Sequence, residues 1–435
     1  MQHPSWGRYP YASQVPLPVF WKHQVADVVP EDSKVLPYGM GRSYGDVCLN
    51  DGGSLLTTRN LNRLIHFDDQ KGVLHAEAGV SLAEVLDFCV PRGWFPPVTP
   101  GTKFVTLGGM VANDVHGKNH HHQGSFGHFL LHLGLWRSDT GASHCSSTEN
   151  PELFKATIGG LGLTGLITDV AFQLLPITGN QMSVETLPFK TLSQFQDLTE
   201  SSDQGFQYTV SWVDTSQFRR GQCRGIFIRG NHADLGSLKA PSRSLTIPFT
   251  MPSWLLNRPV LRMFNTAYFH LHALRSAPQN QHLDPFFYPL DRLHHWNRLY
   301  GKIGPLQYQC VVPDLDALQP IFKMIGDARQ VSFLSVLKKF GNSIPAGFLS
   351  FPREGYTLAM DFQITPEVFQ LCQCLDAYVE SVGGAVYPAK DARMTGKSFE
   401  VFFPNHPKWR AWIDPVFSSS FYRRMTQPPT KEKPL

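Results

Sequence analysis

The spacing of apolar positions divides the chain into short strand-like runs and a few helices. Residues 54–58 and 73–80 predict strands, the second alternating apolar and polar as a half-buried strand does. Residues 81–89 predict a helix, with apolar side chains at 82, 85, 86 and 89, Ser81 as N-cap and Glu84 completing a capping box. Residues 129–149 predict a strand, a turn at Asp139-Thr140-Gly141 and a second strand; a helix opens at 149–154, and 170–175 predict another strand. Residues 1–30 are aromatic and proline-rich, ending in a short polar helix or coil. Beyond Pro176 the character changes: 208–213, 224–230, 307–312, 331–340 and 356–362 predict sheet strands, and 231–250 a mobile loop. Residues 366–382 predict a helix with Pro366 in its first turn and Gly383-Gly384 at its end. The apolar, arginine-dotted segment 252–265 predicts either a helix packed on the body or an interfacial segment touching membrane or a lipid tail.

Three glycine-rich turns punctuate the first half. The first, Gly39-Met40-Gly41-Arg42-Ser43-Tyr44-Gly45-Asp46, lets the backbone approach a ligand, and successive amides in such a turn form an anion-binding nest. It departs from the dinucleotide fingerprint because its third glycine comes one residue late and Asn50-Asp51-Gly52-Gly53 breaks any helix. Gly41-Arg42-Ser43-Tyr44-Gly45 also fits a hydrolase nucleophile elbow, but no helix is expected after Ser43. A phosphate-cradling turn and an ordinary glycine-rich loop both remain open for this stretch. Small residues at 108, 109, 112 and 117 follow the rigid turn Pro100-Gly101-Thr102, and Gly162-Leu163-Thr164-Gly165 is the third segment. Such turns among short strands predict one extended, nucleotide-sized ligand. His120-His121-His122 lacks a partner at metal-ligand spacing, so no metal site is expected. Gly396-Lys397-Ser398 ends like a phosphate loop, but Asp391 stands where its first glycine belongs.

At 435 residues the chain is long enough for two or three domains. A formal charge of +4 over that length excludes nucleic acid as an expected partner. With neither an apolar membrane span nor a leader-like start in view, the expected setting is cytoplasmic or peripheral to a membrane. Seven cysteines without regular spacing predict reduced thiols, with Cys372 and Cys374 in the core.

Gly39 to Asp46, Pro100-Gly101-Thr102, Asp114-Val115-His116-Gly117-Lys118-Asn119-His120-His121 and Gly162-Leu163-Thr164-Gly165 resemble the FAD-binding half of the vanillyl-alcohol-oxidase-type flavoproteins. Within these the chain resembles most the decaprenylphosphoryl-β-D-ribose 2-oxidase family. Trp296-Asn297-Arg298, Leu306-Gln307-Tyr308-Gln309, Lys338 with Phe340-Gly341, and Ala389-Lys390-Asp391 agree. The resemblance implies a two-domain α+β fold of the PCMH type. Residues 1–180 and 385–435 would form the FAD-binding domain, and 181–384 a substrate domain built on an antiparallel sheet. It also implies a dissociable, non-covalent FAD held by Gly39, Met40, Gly41, Arg42, Ser43, Tyr44, Gly45, Pro100, Gly101, Thr102, Gly108, Gly109, Asn113, Asp114, His116, Gly117, Gly162, Gly165, Ile167 and Lys390. Tyr44, His116 and Lys390 would do the catalytic work; Lys118, Arg298, Gln307, Gln309 and Lys338 would hold the substrate. Lys390 would act as a general base or as a cation beside the reduced flavin; the structural alternative is a salt bridge to Asp391. The family oxidises the 2-hydroxyl of a prenyl-phosphate-linked ribose to a ketone, and a partner short-chain reductase completes epimerisation to arabinose, a cell-wall sugar. Phe287, Thr357 and Ala359 depart from the family pattern at the substrate pocket, which leaves the exact sugar or lipid open. A soluble sugar or aldonolactone oxidase of the same superfamily, a serine hydrolase using Ser43 and a non-catalytic flavin-binding module are the alternatives.

Overall fold

The computed structural model describes residues 3–30, 33–220, 222–234, 245–252, 256–274 and 277–426. β1 (Val15–Pro18), β2 (Val35–Tyr38) and β3 (Ser54–Thr57) make a parallel sheet with β3 in the middle. No strand is expected from the sequence at β1, because Pro16 and Pro18 disguise it; both are tolerated at a sheet edge. β4 (Leu64–Asp68), β5 (Val73–Glu77), β6 (Leu130–Arg137), β7 (Gly141–Ser146) and β8 (Leu166–Gln173) form an antiparallel sheet ordered β4-β5-β8-β6-β7.

The two longest helices between β5 and β6 have eight and six residues. In α1 (Leu82–Cys89) the Ser81 hydroxyl accepts from the Glu84 amide while the Glu84 carboxylate accepts from the Ser81 amide at 2.7 Å, the expected capping box. The sequence does not announce α2 (Leu107–Ala112) as a helix. Thr106 caps it by accepting from the Gly109 amide at 3.2 Å, and Gly108 lies where a Cβ would meet that of Ala78 at 3.0 Å.

The larger sheet has eight antiparallel strands. They are β9 (Gln181–Phe189), β10 (Tyr208–Val213), β11 (Gly225–His232), β12 (Gln279–His282), β13 (Pro305–Val312), β14 (Ser335–Phe340), β15 (Gly355–Gln363) and β16 (Ala385–Val386). Their order is β12-β9-β11-β10-β14-β15-β13-β16. The strand expected over 331–340 is confined to its second half. The Ser332 amide and carbonyl are both engaged by the Thr215 hydroxyl, at 2.8 and 3.0 Å, so they do not join the ladder.

α3 (Arg258–Ala273) begins later than the apolar segment that announces it. Asn257 caps it and Pro259 occupies its first turn; Leu261, Asn265 and Phe269 are buried, which is the packed-helix reading. Met263 and Leu271 on the same helix are exposed. Residues 235–244 of the expected loop, and Ser253, Trp254 and Leu255 of that segment, lie outside the described residues. α4 (Pro366–Ser381) is capped by Thr365 and stops at Gly383, whose φ of 72° is left-handed. Cys372 is buried on α4, but Cys374, expected beside it in the core, is exposed, because two positions along a helix point to nearly opposite sides.

Alternation along the strands divides structure from site. Leu306, Tyr308 and Cys310 of β13 and Leu358, Met360 and Phe362 of β15 enter one buried cluster with Leu371 and Leu375 of α4. Gln307, Gln309, Thr357, Ala359 and Asp361 occupy the alternate positions and so face the other way.

Candidate functional site

The other face of the large sheet, the glycine-rich turns and the N-terminal segment enclose one cavity of about 1370 Å³. The turn after β2 is its first wall. Gly41 is left-handed at φ 60°, and the amides of Gly41, Arg42 and Ser43 have no backbone partner among the described residues. The N-terminal segment lies over this turn, with the Trp6 amide bonded to the Ser43 carbonyl at 2.8 Å. Arg42 lies over the Trp6 ring, 4.7 Å from its centroid. A three-residue 3-10 turn, Asp46–Cys48, follows instead of the helix a nucleophile elbow needs.

Gly39, Met40, Gly41, Arg42, Ser43, Tyr44, Pro100, Gly101, Thr102, Gly108, Gly109, Asn113, His116, Gly117, Gly162, Gly165, Ile167 and Lys390 all line the cavity. So do Lys118, Arg298, Gln307, Gln309 and Lys338, together with Phe287, Thr357 and Ala359. Gly45 and Asp114 do not. Gly45 lies where a Cβ would run into the Asp391 carbonyl, so it lets the turn close against the C-terminal segment. Asp114 is wholly buried and accepts from the Ser125 hydroxyl and the Gly127 amide, both at 2.9 Å, and from the Ser350 hydroxyl. It fastens the loop that delivers His116 two residues later.

His116 is buried among Phe340, Phe351 and Tyr387. Its Nε2 faces the Gln309 amide nitrogen at 3.0 Å and therefore accepts, which puts the ring proton on Nδ1, where no partner is found among the described residues. Burial, then the Lys338 charge, holds its pKa well below the ordinary value, so the ring is neutral. Burial also lowers three lysines that repel one another. Lys118 falls to about 7, with Lys338 contributing, and Lys338 to about 8, with Lys390 contributing. Lys390 is lowered by burial as well, and a carboxylate, Asp361, opposes the shift. Its ammonium nitrogen lies 4.2 Å from the centroid of the Tyr44 ring. Asp391 does not engage it: that carboxylate holds Arg424 at 3.0 Å and the Met394 amide. Two of the expected substrate cations are tied to the chain. The Lys118 ammonium donates to the Phe286 carbonyl, and Arg298 donates to the carbonyls of Ile247 and Pro248 at 2.8 and 3.1 Å.

Sequence reasoning missed Asp361, an acid in a strand whose neighbours Leu358, Met360 and Phe362 are apolar; that contrast is the signal that could have found it. It also missed Arg8 and His295, which line the cavity from left-handed backbone at φ 56° and 57°.

Residues 24–146 match the FAD-binding domain family. The chain is 33% identical over 424 residues to decaprenylphosphoryl-β-D-ribose oxidase of Mycolicibacterium smegmatis, covering 90% of this chain and 89% of that one. It is 30% identical over 371 residues to an uncharacterized protein in the mprA 5′ region of Streptomyces coelicolor, covering 80% of this chain and 100% of that one. A putative D-arabinono-1,4-lactone oxidase of Neurospora crassa is 27% identical over 143 residues, 33% of this chain and 25% of its own. The cavity fits FAD on its own terms. The first turn presents amides without backbone partners, a Cβ on Gly101 would meet nothing within 4 Å, and Asn113 Oδ1 and His116 Nδ1 are buried, unpartnered polar atoms on the cavity wall.

Proposed function

Because the chain belongs to the decaprenylphosphoryl-β-D-ribose oxidase family of FAD-dependent oxidoreductases, we propose that it oxidises the ribose 2-hydroxyl of a polyprenylphosphoryl-ribose to a ketone, as one half of an epimerisation. The observation that carries this reading is the single cavity onto which the glycine-rich turns present cofactor-type surface and β13 and β14 present Gln307, Gln309 and Lys338. In this reading residues 1–180 and 385–435 hold FAD without a covalent bond, and 181–384 hold the sugar.

FAD supplies hydride acceptance. The protein's part is orientation and charge. The three glycine-rich turns, with Asn113 and His116, hold the cofactor. Gln307 and Gln309 offer amides to the sugar hydroxyls, with Gln309 kept in place by the neutral His116. Lys390 takes the hydroxyl proton or steadies the developing negative charge, with Tyr44 under its ammonium group. The lysine trio makes this end of the cavity favourable to anions. Arg8, Arg42 and Arg298 at the cavity wall, none of them paired with a carboxylate within 4.0 Å among the described residues, give the substrate phosphate a cationic mouth. Phe287, Thr357 and Ala359 tune which sugar fits. The prenyl chain leaves along α3, whose exposed Met263 and Leu271 meet a membrane surface, and a short-chain reductase consumes the ketone. No helix among the described residues is long and apolar enough to cross a membrane.

The test is anaerobic mixing of the yellow holoenzyme with a short-chain prenylphosphoryl-ribose. Bleaching of the flavin bands and a ketone two mass units lighter are expected. Bleaching by an aldonolactone precursor sugar but not by the phosphoryl-ribose would transfer the protein to the lactone-oxidase reading.

A further inference from the structure

Among the buried carboxylates beside the cavity, Asp361 is unlike the others. Asp46 and Asp391 bond Arg424, Asp376 bonds Arg393, and Asp114 accepts three hydrogen bonds. Asp361, 1% exposed, has one side-chain partner among the described residues, the Gln307 amide on its Oδ1; Oδ2 is buried with none among them. The hydroxyl of Tyr300 nearby is likewise buried and unpartnered. An ionised carboxylate in such a place is costly unless a cation faces it.

The cation reached through that hydrogen bond is Lys390: Gln307, which bonds Asp361, also bonds the Tyr44 hydroxyl, and the Lys390 ammonium lies 4.2 Å from the centroid of the Tyr44 ring. Asp361 pairs with Gln307 across β15 and β13, and Lys390 follows β16, the next strand beyond β13. The two do not form a salt bridge at contact distance, yet each feels the other. Burial raises the Asp361 carboxyl, and Lys390 works against that rise; burial lowers the Lys390 ammonium, and Asp361 works against that fall. Each burial effect favours the neutral form, and each partner favours the charged one. The other groups facing the pair are Lys338 and His116, which sense Lys390, and Tyr44 and Tyr300, whose pKa values burial raises and the Asp361 charge raises further. Lys338 adds positive charge beside Lys390, so Asp361 is the group that holds the lysine's proton affinity up.

We propose that Asp361 and Lys390 form an acid–base pair linked through Gln307 and Tyr44, with Asp361 behind the cavity wall, and that Asp361 is a positioning residue which keeps Lys390 basic enough to accept the substrate's hydroxyl proton. The second half rests on the oxidation proposed above. In that step the substrate O–H bond breaks, the proton goes to Lys390 Nζ, the electron pair stays on oxygen, and Asp361 remains ionised and bears the new ammonium charge. Interacting sites of this kind show macroscopic transitions that belong to the pair.

The first half is tested on the holoenzyme without substrate, by infrared difference spectra taken as the pH is stepped down through neutrality. A carbonyl band of a buried carboxylic acid should appear in the wild type and be missing in Asp361→Asn. In Lys390→Met the band should persist to higher pH, its midpoint moved up by about one unit or more, because the cation that favours the carboxylate is gone. A midpoint that stays put in Lys390→Met, or a band that survives in Asp361→Asn, overturns the pairing. The second half is tested by the pH profile of flavin reduction. Asp361→Asn should shift the acidic limb, along which Lys390 loses its proton, to lower pH by about one unit and lower the plateau about tenfold, with Asp361→Glu recovering part of both. A purely structural role would lower the plateau and leave the limb in place, which overturns that half. An enzyme that phosphoryl-ribose does not reduce would refute the substrate assignment alone, and the infrared result would still stand.

Discussion

Lys390 carries the largest single stake in the site, so its removal is the most demanding test. Lys390→Ala deletes a half-buried ammonium that lies over Tyr44 and has no acid within salt-bridge distance among the described residues. A hydrogen bond to a charged group contributes about 1.5–3 kcal/mol, and the lost cation–π contact about 0.5–1 kcal/mol more. At about 1.4 kcal/mol per tenfold in rate, these sum to roughly 10²-fold slower flavin reduction. Loss of a general base would give a comparable or larger deficit of about 10²–10⁴-fold. The assay is anaerobic stopped-flow bleaching of the flavin at saturating substrate, after absorbance has confirmed a full complement of FAD. Lys390→Arg then separates the roles, since arginine keeps the charge but does not accept a proton near neutral pH. Recovery in the arginine variant identifies electrostatics, and continued loss identifies proton transfer. Asp391 is held by Arg424 and keeps that partner in the alanine variant, whereas Asp361 loses the cation that favours its charged form. Near-normal reduction in Lys390→Ala with FAD bound would refute the reasoning.

Acid precipitation should release the flavin into the supernatant; yellow colour kept in the pellet would show a covalent link. The apo protein should gain thermal stability between about pH 7 and 9. Lys118 and Lys338 titrate at about 7 and 8 when folded but near 10.5 when unfolded, so the unfolded chain binds more protons across that window. Lys338→Met should flatten the rise, and an equal slope in the variant would reject this cause. Gly45→Ala should weaken FAD binding by about tenfold or more on reconstitution, because its Cβ meets the Asp391 carbonyl and strain of about 1–3 kcal/mol is the usual result of such overpacking. Met263→Ser with Leu271→Ser should abolish flotation with anionic vesicles and leave folding intact; unchanged flotation would remove α3 from any membrane contact.

Much of the architecture could be read from the chain because local chemistry and fold agree. The capping box at Ser81 and Glu84, the helix stop at Gly383 and the alternation along β13 and β15 are each visible within a few residues. β1 was hidden by its prolines, and α2 by Gly108 and Gly109, although Thr106 three residues before Gly109 is a cap signal. The loop residues of the site were legible through the resemblance. The partners that give them meaning were not. Whether Lys390 faces Asp391 or Asp361 depends on which strand edge it follows, and no local pattern states that. Arg8 and His295 owe their direction to left-handed backbone, a conformation that neither residue type announces.

The interleaving on the large sheet has a consequence for redesign. On β13, β14 and β15 the side chains that touch a guest and those that hold the sheet to its helices come at every second position: Gln307 and Gln309 between Leu306, Tyr308 and Cys310; Thr357 and Ala359 flanking Leu358. A mutational library restricted to one parity of these strands explores new specificities against a constant foundation, and the complementary parity explores robustness with recognition untouched. A single-residue insertion within β15 exchanges the two alphabets downstream of it, sending core side chains such as Met360 and Phe362 to the guest and polar contacts into the core. Selectable variation in this pocket therefore comes by substitution, and changes of length are confined to the connections between strands.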